Sequence, residues 1–497
     1  MTLAGGSGRH RLEGDDKIEV GIIGIGDMGR LYAAKINAAG WIVNVCDRPE
    51  KYESLQEEYK GTSINVYKDG HLVSRRSDLI IYSVEAALIY NVVAQYGPST
   101  KMGAIVSGQT SVKAPEQRAF EAHLPADSYI ISCHSLHGPK VDPTGQPLVL
   151  IQHRAPDEKM RLMERIMAAF GSRIVLLSYQ EHDVVTANTQ AVTHAAFLAM
   201  GAAWRCSGDY PWETDRWAGP IETVKINIMI RILSAKWHVY AGLAILNPSA
   251  RIQVTQYAKS VSDLFKLMIA DRHDEMLRRV FEARRKVFGW QDDEQPAAAG
   301  EGKDANTSAT TGTTTSSSTR QQRPILMSDA MLAQFHQAAR KVAPPPPTDG
   351  SSTDQPAAGT TEQQTTDSSS PPVRPPNSHL SLLAIVDCWH HLGIDPYAHL
   401  ELAATPIFRI WIGVCEYLFR SPARLRASIR AAVEDPTFRG DDTEFVVAAR
   451  GWAEAVNAGN FEHYEWRFKD TARFFEPRFE EANKVGAEML KVVMSSR

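Results

Sequence analysis

The residues Gly24-Ile25-Gly26-Asp27-Met28-Gly29 have the spacing G-x-G-x-x-G. They follow an apolar run, 18–23, and open a helical stretch, 31–39. That strand–turn–helix setting is what gives the motif its chemistry. Gly24 permits the tight turn, Gly26 lets the backbone approach a pyrophosphate, and Gly29 lets helix and strand pack closely. The N–H groups at the helix start then face phosphate, so these six residues form a candidate cradle for a nicotinamide dinucleotide. The next apolar run, 42–46, ends in Asp47-Arg48. An acid at this place takes the ribose hydroxyls of NAD, whereas a guanidinium pairs with the 2′-phosphate of NADP. Both residue types are present, and their order alone does not choose between them.

Two further segments stand where strands end. Ser107-Gly108-Gln109-Thr110-Ser111-Val112-Lys113 follows the run 104–106, and Cys133-His134-Ser135-Leu136-His137-Gly138-Pro139-Lys140 follows the run 129–132. In strand–helix folds, ligands bind at the carboxyl edge of the sheet. At that edge Ser111 can hydrogen-bond a substrate or the nicotinamide, or cap the next helix. His134 and His137 can act as general bases near neutral pH, or bond loop backbone instead. His182-Asp183, Gln190 and His194 open the helical part of the chain, where most single histidines are structural.

These residues need a frame. The runs 18–23, 42–46, 78–84, 104–106, 129–132, 148–151 and 174–177 alternate with helical stretches, and several are wholly apolar, as strands buried on both faces are. The alternation predicts an α/β fold over 17–180: a doubly wound, mostly parallel sheet of the Rossmann type. From 181 the texture is helical and rich in Ala, Leu, Ile and Met, which predicts an all-α region of two helical domains, 181–290 and 377–497. Between them, 291–323 is rich in Ser, Thr, Gly and Gln, and 343–376 in Pro, Thr and Ser. Neither tract holds enough apolar surface to offset its conformational entropy, so the linker 291–376 is expected to be mostly disordered, as is the tail 1–16. A short helix is expected at 328–342, capped by Ser328, with Met331, Leu332 and Phe335 on one face.

The two helical segments look like copies. His194 precedes Trp204 by ten residues, and His379 precedes Trp389 by ten. Phe197-Leu198-Ala199-Met200 matches Leu382-Leu383-Ala384-Ile385, and Asp209 and Pro211 recur roughly as Asp395 and Pro396. Lys225 lies 31 residues after His194, and Arg409 lies 30 after His379. Duplication implies one chain holding an intrachain pseudo-dimer of helical domains, with a homodimer as the alternative.

The 497 residues allow two to four domains, and 43% of them are hydrophobic, enough for sizeable cores. A net charge of −4 with 23% charged residues gives no electrostatic case for nucleic acid or an anionic membrane as main partner. Five scattered cysteines without a CxxC pair read as reduced thiols rather than a disulfide frame or zinc site. No apolar run of about 18 residues and no signal-peptide pattern is present. The expected place is the cytoplasm, with no metal.

With these motifs in place, the chain resembles the fungal prephenate dehydrogenases of tyrosine biosynthesis from about Ile18 to the C-terminus, apart from the two polar tracts. The resemblance is carried by the glycine turn, Thr110-Ser111-Val112-Lys113, the His134 to Lys140 segment, and His182-Asp183 with Thr189-Gln190-Ala191-Val192-Thr193-His194. Lys236-Trp237-His238-Val239-Tyr240-Ala241-Gly242-Leu243-Ala244 and Thr405-Pro406-Ile407-Phe408-Arg409 extend it. It implies oxidative decarboxylation of prephenate to 4-hydroxyphenylpyruvate, with hydride transfer to NADP in preference to NAD. It implies that His134 is the catalytic histidine on the ring hydroxyl and that Ser111 orients substrate and nicotinamide. It places Gln190, His194, His137 and either Arg409 or Lys225 on the substrate. Bacterial relatives usually carry His-Pro-Met where this chain has His134-Ser135-Leu136, a change in the loop rather than in the base. An arogenate dehydrogenase is a close variant. A non-catalytic NADP-binding sensor or scaffold is a different class, disfavoured by Ser111, His134 and Arg409 occurring together. A beta-hydroxyacid dehydrogenase is a weaker rival, since Lys225 stands at a poor sequence distance for its acid/base lysine.

Overall fold

The computed structural model describes residues 14–208, 210, 219–290, 325–342, 377–403 and 405–495. The two polar tracts 291–323 and 343–376, most of the tail, and Asp209 and Pro211 lie outside the described residues.

Eight strands form one sheet: β1 (Glu19–Ile23), β2 (Ile42–Cys46), β3 (Ile64–Val66), β4 (Leu79–Tyr82), β5 (Ile105–Gly108), β6 (Tyr129–Ser135), β7 (Pro147–Arg154) and β8 (Arg173–Leu176). Their order is β3-β2-β1-β4-β5-β6-β7-β8. All neighbours are parallel except β6 and β7. The registers Ile23↔Cys46, Ile23↔Tyr82 and Tyr82↔Gly108 align the carboxyl ends. The glycine turn, Asp47 and the loop after β5 therefore lie side by side.

Helices α1 (Asp27–Ala38), α2 (Tyr52–Glu58), α3 (Gly70–Arg76), α4 (Ile89–Tyr96), α5 (Ala114–His123) and α6 (Asp157–Met167) flank the sheet. Tyr32, Ile36, Met163 and Ile166 pack on Val20, Ile22 and Val43 on one face. Val73, Val93 and Phe120 pack on Ile80, Tyr82 and Val106 on the other. Apolar side chains on both faces are what the unbroken apolar runs required.

Two details depart from the sequence-based expectation. Strand β6 extends to Ser135 because antiparallel β7 pairs with it, His134↔Val149 and Ser135↔Leu148, so His134 is a strand residue rather than a loop residue. The boundary at 180/181 falls inside α7 (Tyr179–Thr186), whose start is fixed by a reciprocal cap between Ser178 and Glu181. Near the other end, Asp15 pairs with Arg165 at 3.1 Å, which ties part of the segment read as tail to the sheet domain.

A π-helical turn, Ala187–Ala191, leads into α8 (Val192–Ser207). Then come α9 (Pro220–Leu233), α10 (Trp237–Ile245), α11 (Pro248–Ile269), α12 (His273–Phe288) and α13 (Asp329–Val342). The second segment holds α14 (Leu380–Leu392), α15 (Pro396–Ala403), α16 (Pro406–Arg420), α17 (Pro422–Glu434), α18 (Arg439–Ala458), α19 (Phe461–Phe475) and α20 (Phe479–Ser495). Both segments share one core, in which Phe197, Met229 and Val261 meet Trp389, Trp411 and Trp452. Leu332 and Phe335 of α13 join it.

The packing repeats itself. Helix α8 lies on α18 while α14 lies on α11; α10 lies on α19 while α12 lies on α17; α11 meets α18, and α13 meets α20. Matching α8 to α14, α9 to α16, α10 to α17, α11 to α18, α12 to α19 and α13 to α20 makes each contact the image of another or of itself. That is the pattern of a two-fold axis inside one chain. Among the described residues, no single helix is long and apolar enough to cross a membrane.

Candidate active site

The glycine turn is built by exclusion. Gly24 has φ +101°, and a Cβ there would lie 2.4 Å from the Ser83 carbonyl oxygen. A Cβ on Gly29 would lie 2.2 Å from the Gly24 carbonyl oxygen. A Cβ on Gly26 would meet nothing within 4 Å, so open space for a ligand lies over the middle of the turn. The turn fits a dinucleotide pyrophosphate on this ground. Ile25 is buried and Met28 half-buried, while Asp27 is exposed and begins α1. Asp27 pairs with Lys236 at 2.7 Å, so the start of α10 leans over the turn.

Asp47 is folded inward. Its carboxylate accepts the Ile25 N–H at 2.8 Å, the Arg48 N–H at 2.7 Å and the Lys51 ammonium at 3.2 Å. Burial raises its affinity for protons, but the N–H groups of Arg48 and Ile25 and then Lys51 outweigh it and hold the carboxyl below its usual range. The Arg48 side chain is 76% exposed beside it. Two cations thus flank an acid that is already engaged, which is the charge arrangement a 2′-phosphate requires.

At the end of β5 the loop carrying Ser111 is pinned from below. The buried Lys113 ammonium bonds both Glu116 carboxylate oxygens at 3.0 Å, the Gly108 carbonyl at 3.0 Å and the Cys133 carbonyl at 2.8 Å. Thr110 Oγ1 and Ser132 Oγ also bond Glu116. Ser111 itself is half-buried on the loop. The bond to Cys133 fixes this loop to the strand end that bears His134.

A chain of three side chains runs behind that strand end. Asp183 accepts the N–H groups of Lys113 at 2.7 Å and Ala114 at 2.8 Å, at the start of α5. Its Oδ1 lies 2.9 Å from His182 Nδ1, and His182 Nε2 lies 2.8 Å from His134 Nδ1. Donor and acceptor roles follow along the chain. The carboxylate accepts, so His182 donates from Nδ1 and accepts at Nε2. His134 must then donate from Nδ1, which leaves its Nε2 with a lone pair. Burial, then His182 and Lys113, push the His134 imidazole well below its usual pKa, so it stays neutral. At 7% exposure it is nearly enclosed. His137, three residues on, bonds the Gly138 carbonyl through Nδ1 at 3.0 Å and leaves Nε2 unbonded.

The helical side supplies unbonded polar atoms. Gln190 lies in the π-helical turn and its Nε2 has no partner; His194 Nδ1 has none either. Burial pushes His194 down to about 3, and its ring meets Tyr240 edge-on at 4.6 Å. The turn is held by Asn188, which bonds His399 of α15 at 2.8 Å and also Gln253 of α11. Asn247 bonds the Asp183 carbonyl at 2.8 Å and so ties α11 to the same chain. A wide turn of this kind is rare and collects at functional sites.

The two candidate cations part company. Arg409 stands half-buried on the first turn of α16, directly after α15, which docks on α7, β7 and the π-helical turn. Lys225 points elsewhere. It pairs with Glu222 at 2.7 Å, lies 3.4 Å from Ser381 Oγ, and lines a cavity to which no residue of the sheet domain contributes. The expectation that Lys225 shares the cleft with His134 is therefore corrected: α9 faces the start of α14.

Sequence reasoning singled out His182-Asp183 without giving them a role, and it missed Lys51, Lys236 and Asn247. Lys51 sits four residues after Asp47, a spacing that pairs across one helical turn and was legible. Lys236 and Asn247 meet their partners across 209 and 64 residues, which no local pattern signals.

Comparison with known proteins gives two family matches. Residues 19–108 match the family described as "NADP oxidoreductase coenzyme F420-dependent". Residues 191–301 and 306–495 match a family described as a "6-phosphogluconate dehydrogenase C-terminal domain". The chain is 49% identical to a "Probable prephenate dehydrogenase [NADP(+)]" of Schizosaccharomyces pombe, over 97% of this chain and 99% of that protein. It is 46% identical to the "Prephenate dehydrogenase [NADP(+)]" of Saccharomyces cerevisiae, over 97% and 96%. A solved prephenate dehydrogenase from A. aeolicus aligns with 55% of this chain and 98% of its own, at 18% identity and a TM-score of 0.43.

Proposed function

The chain belongs to the NADP(+)-dependent prephenate dehydrogenase family, and from that premise we propose how its residues divide the reaction. The enzyme is an oxidoreductase that converts prephenate to 4-hydroxyphenylpyruvate and CO2 in tyrosine biosynthesis, with NADP as its cofactor. Bound NADP supplies the hydride acceptor. The six residues of the glycine turn hold its pyrophosphate, and Arg48 with Lys51 takes the 2′-phosphate, since Asp47 is spent on Ile25 and Lys51.

His134 is the base. The observation that carries this is the Asp183–His182–His134 chain, because it fixes the tautomer that presents a lone pair at Nε2. His134 Nε2 takes the proton of the ring hydroxyl as hydride leaves the same carbon. The ring carboxylate departs as CO2, and its bonding electrons make the ring aromatic. The proton returns from His134 to the oxygen, now phenolic, so no net proton is released. Ser111 and His137 orient the ring end of the substrate, Gln190 and His194 line the helical wall, and Arg409 holds a carboxylate. A charge-assisted bond of that kind contributes about 1.5–3 kcal/mol.

The test is absorbance of the reduced nicotinamide, with prephenate and arogenate each offered NAD and NADP, for wild type and His134→Asn. The expected result is turnover with prephenate and NADP in the wild type only. Wild-type turnover preserved in His134→Asn removes that residue from the role.

The intrachain two-fold supports a monomer in which the second helical copy takes the place of a partner subunit. Light scattering showing an obligate dimer built on these helices would overturn it. Five unpaired cysteines, four of them buried, support a cytoplasmic place; fluorescence microscopy of a tagged chain in another compartment would refute it.

A further inference from the structure

The cavity beside Lys225 lies where the two-fold axis puts the image of the catalytic cleft. The cleft is walled by the start of α8, by α11, and by α16 with Arg409. Their counterparts are the start of α14, α18, and α9 with Lys225, and these wall the cavity. Helix α8 adds Met200 and Trp204. Among the described residues no sheet domain covers this copy, so it has no dinucleotide cradle of its own.

Its chemistry is not that of a hydrophobic remnant. Lys225 and Glu222 are both buried and paired at 2.7 Å, and Glu222 also accepts His379 Nδ1–H at 2.9 Å. His379 has φ +51°, a left-handed conformation uncommon for a residue with a Cβ. Asp442, also buried, accepts Ser378 Oγ–H at 3.0 Å. Phe445 forms an apolar wall beside it. Buried ions and strained backbone both cost stability, and both cluster where a ligand is held. The cavity is open to solvent and encloses about 430 Å³ of empty volume.

We propose that this cavity binds a free amino acid with an aromatic side chain. Lys225 and the Ser381 hydroxyl receive the carboxylate, as Arg409 does in the cleft. Asp442 and Asp441 receive the ammonium, a group for which the cleft has no such acid pair. The ring lies between Phe445 and Trp204. The likeness of this ligand to the substrate rests on the role given above to Arg409; the cavity and its charges do not.

The full-length enzyme is titrated calorimetrically with L-tyrosine and L-phenylalanine, and with L-leucine and 4-hydroxyphenylpropionate as probes lacking the ring or the ammonium. The expected result is one site per chain for an aromatic amino acid, unaffected by saturating prephenate and NADP. Leucine and 4-hydroxyphenylpropionate bind at least tenfold more weakly, about 1.4 kcal/mol. Asp442→Asn and Ser381→Ala each weaken the aromatic ligand by a similar factor, while His134→Asn does not. No binding by either aromatic amino acid to the wild type overturns the proposal. So does binding that prephenate displaces, or binding that Asp442→Asn and Ser381→Ala both leave intact. Loss of turnover in His134→Asn with amino-acid binding kept separates the two sites.

Discussion

Two acid–histidine contacts stand at related places in the two helical copies, and they differ in where their proton chain ends. In the first copy Asp183 fixes His182, which fixes His134, and the chain stops at a nitrogen lone pair on the sheet edge. In the second copy Glu222 is held from both sides, by Lys225 and by His379, and the chain closes on itself. Burial alone would raise the Glu222 carboxyl; Lys225 and then His379 bring it down to about 2. An acid beside a histidine is thus no mark of a base. What matters is whether the last ring is left with an acceptor facing a place where substrate can sit.

The sharpest way to break this comparison is His134→Asn. It should lower kcat by about 10² to 10⁴-fold while the dissociation constant for NADP, followed by fluorescence quenching, stays within experimental scatter. Next come the two cations. Arg409→Met should raise KM for prephenate about 10- to 150-fold, the range of one charge-assisted bond, with little change in melting temperature. Lys225→Met should do the reverse. It leaves Glu222 buried without its ammonium, a loss of about 3–5 kcal/mol in chemical denaturation, and KM should not move. A raised KM in Lys225→Met would return that residue to the cleft.

Arg48→Ala should weaken NADP about fivefold, the scale of a ~1 kcal/mol exposed ion pair, and leave NAD binding unchanged. Equal losses for both dinucleotides would take the 2′-phosphate away from Arg48. The smallest effect concerns pH. Burial, His182 and Lys113 depress the His134 imidazole, so the base remains unprotonated as pH falls through the ordinary histidine range. Between pH 8 and pH 6, kcat should hold nearly level, whereas a base with a pKa of about 6.5 would lose roughly three-quarters of its active form. An acid limb at or above pH 6.5 would mean that the ring is solvated.

Much of this was legible in the residues themselves. The glycine turn reads from residue types alone, because Gly24 and Gly29 have steric roles that no other residue fills. The wholly apolar runs read as buried strands for the same reason that their side chains now lie on both faces. The duplication was visible in the spacing of His194, Trp204 and Lys225 against His379, Trp389 and Arg409. The last strand pair was not legible: β7 runs antiparallel, and nothing in the run 148–151 states a direction. Nor was the path from Asp183 to His134, which depends on a β-strand and a helix start meeting 48 residues apart. The place of Lys225 failed for a different cause. Its spacing was read correctly, but a two-fold axis sends equivalent residues to opposite sites, and spacing carries no sign of which site holds the sheet domain.

The joining of both helical copies in one polypeptide has a genetic consequence. In a dimer of identical chains every substitution is written twice, so a change that suits one site is imposed on the other. Here each copy mutates alone. Lysine could replace arginine, a glutamate could settle beside it, and a dinucleotide domain could be dispensed with on one side, all without touching the residues that handle prephenate on the other.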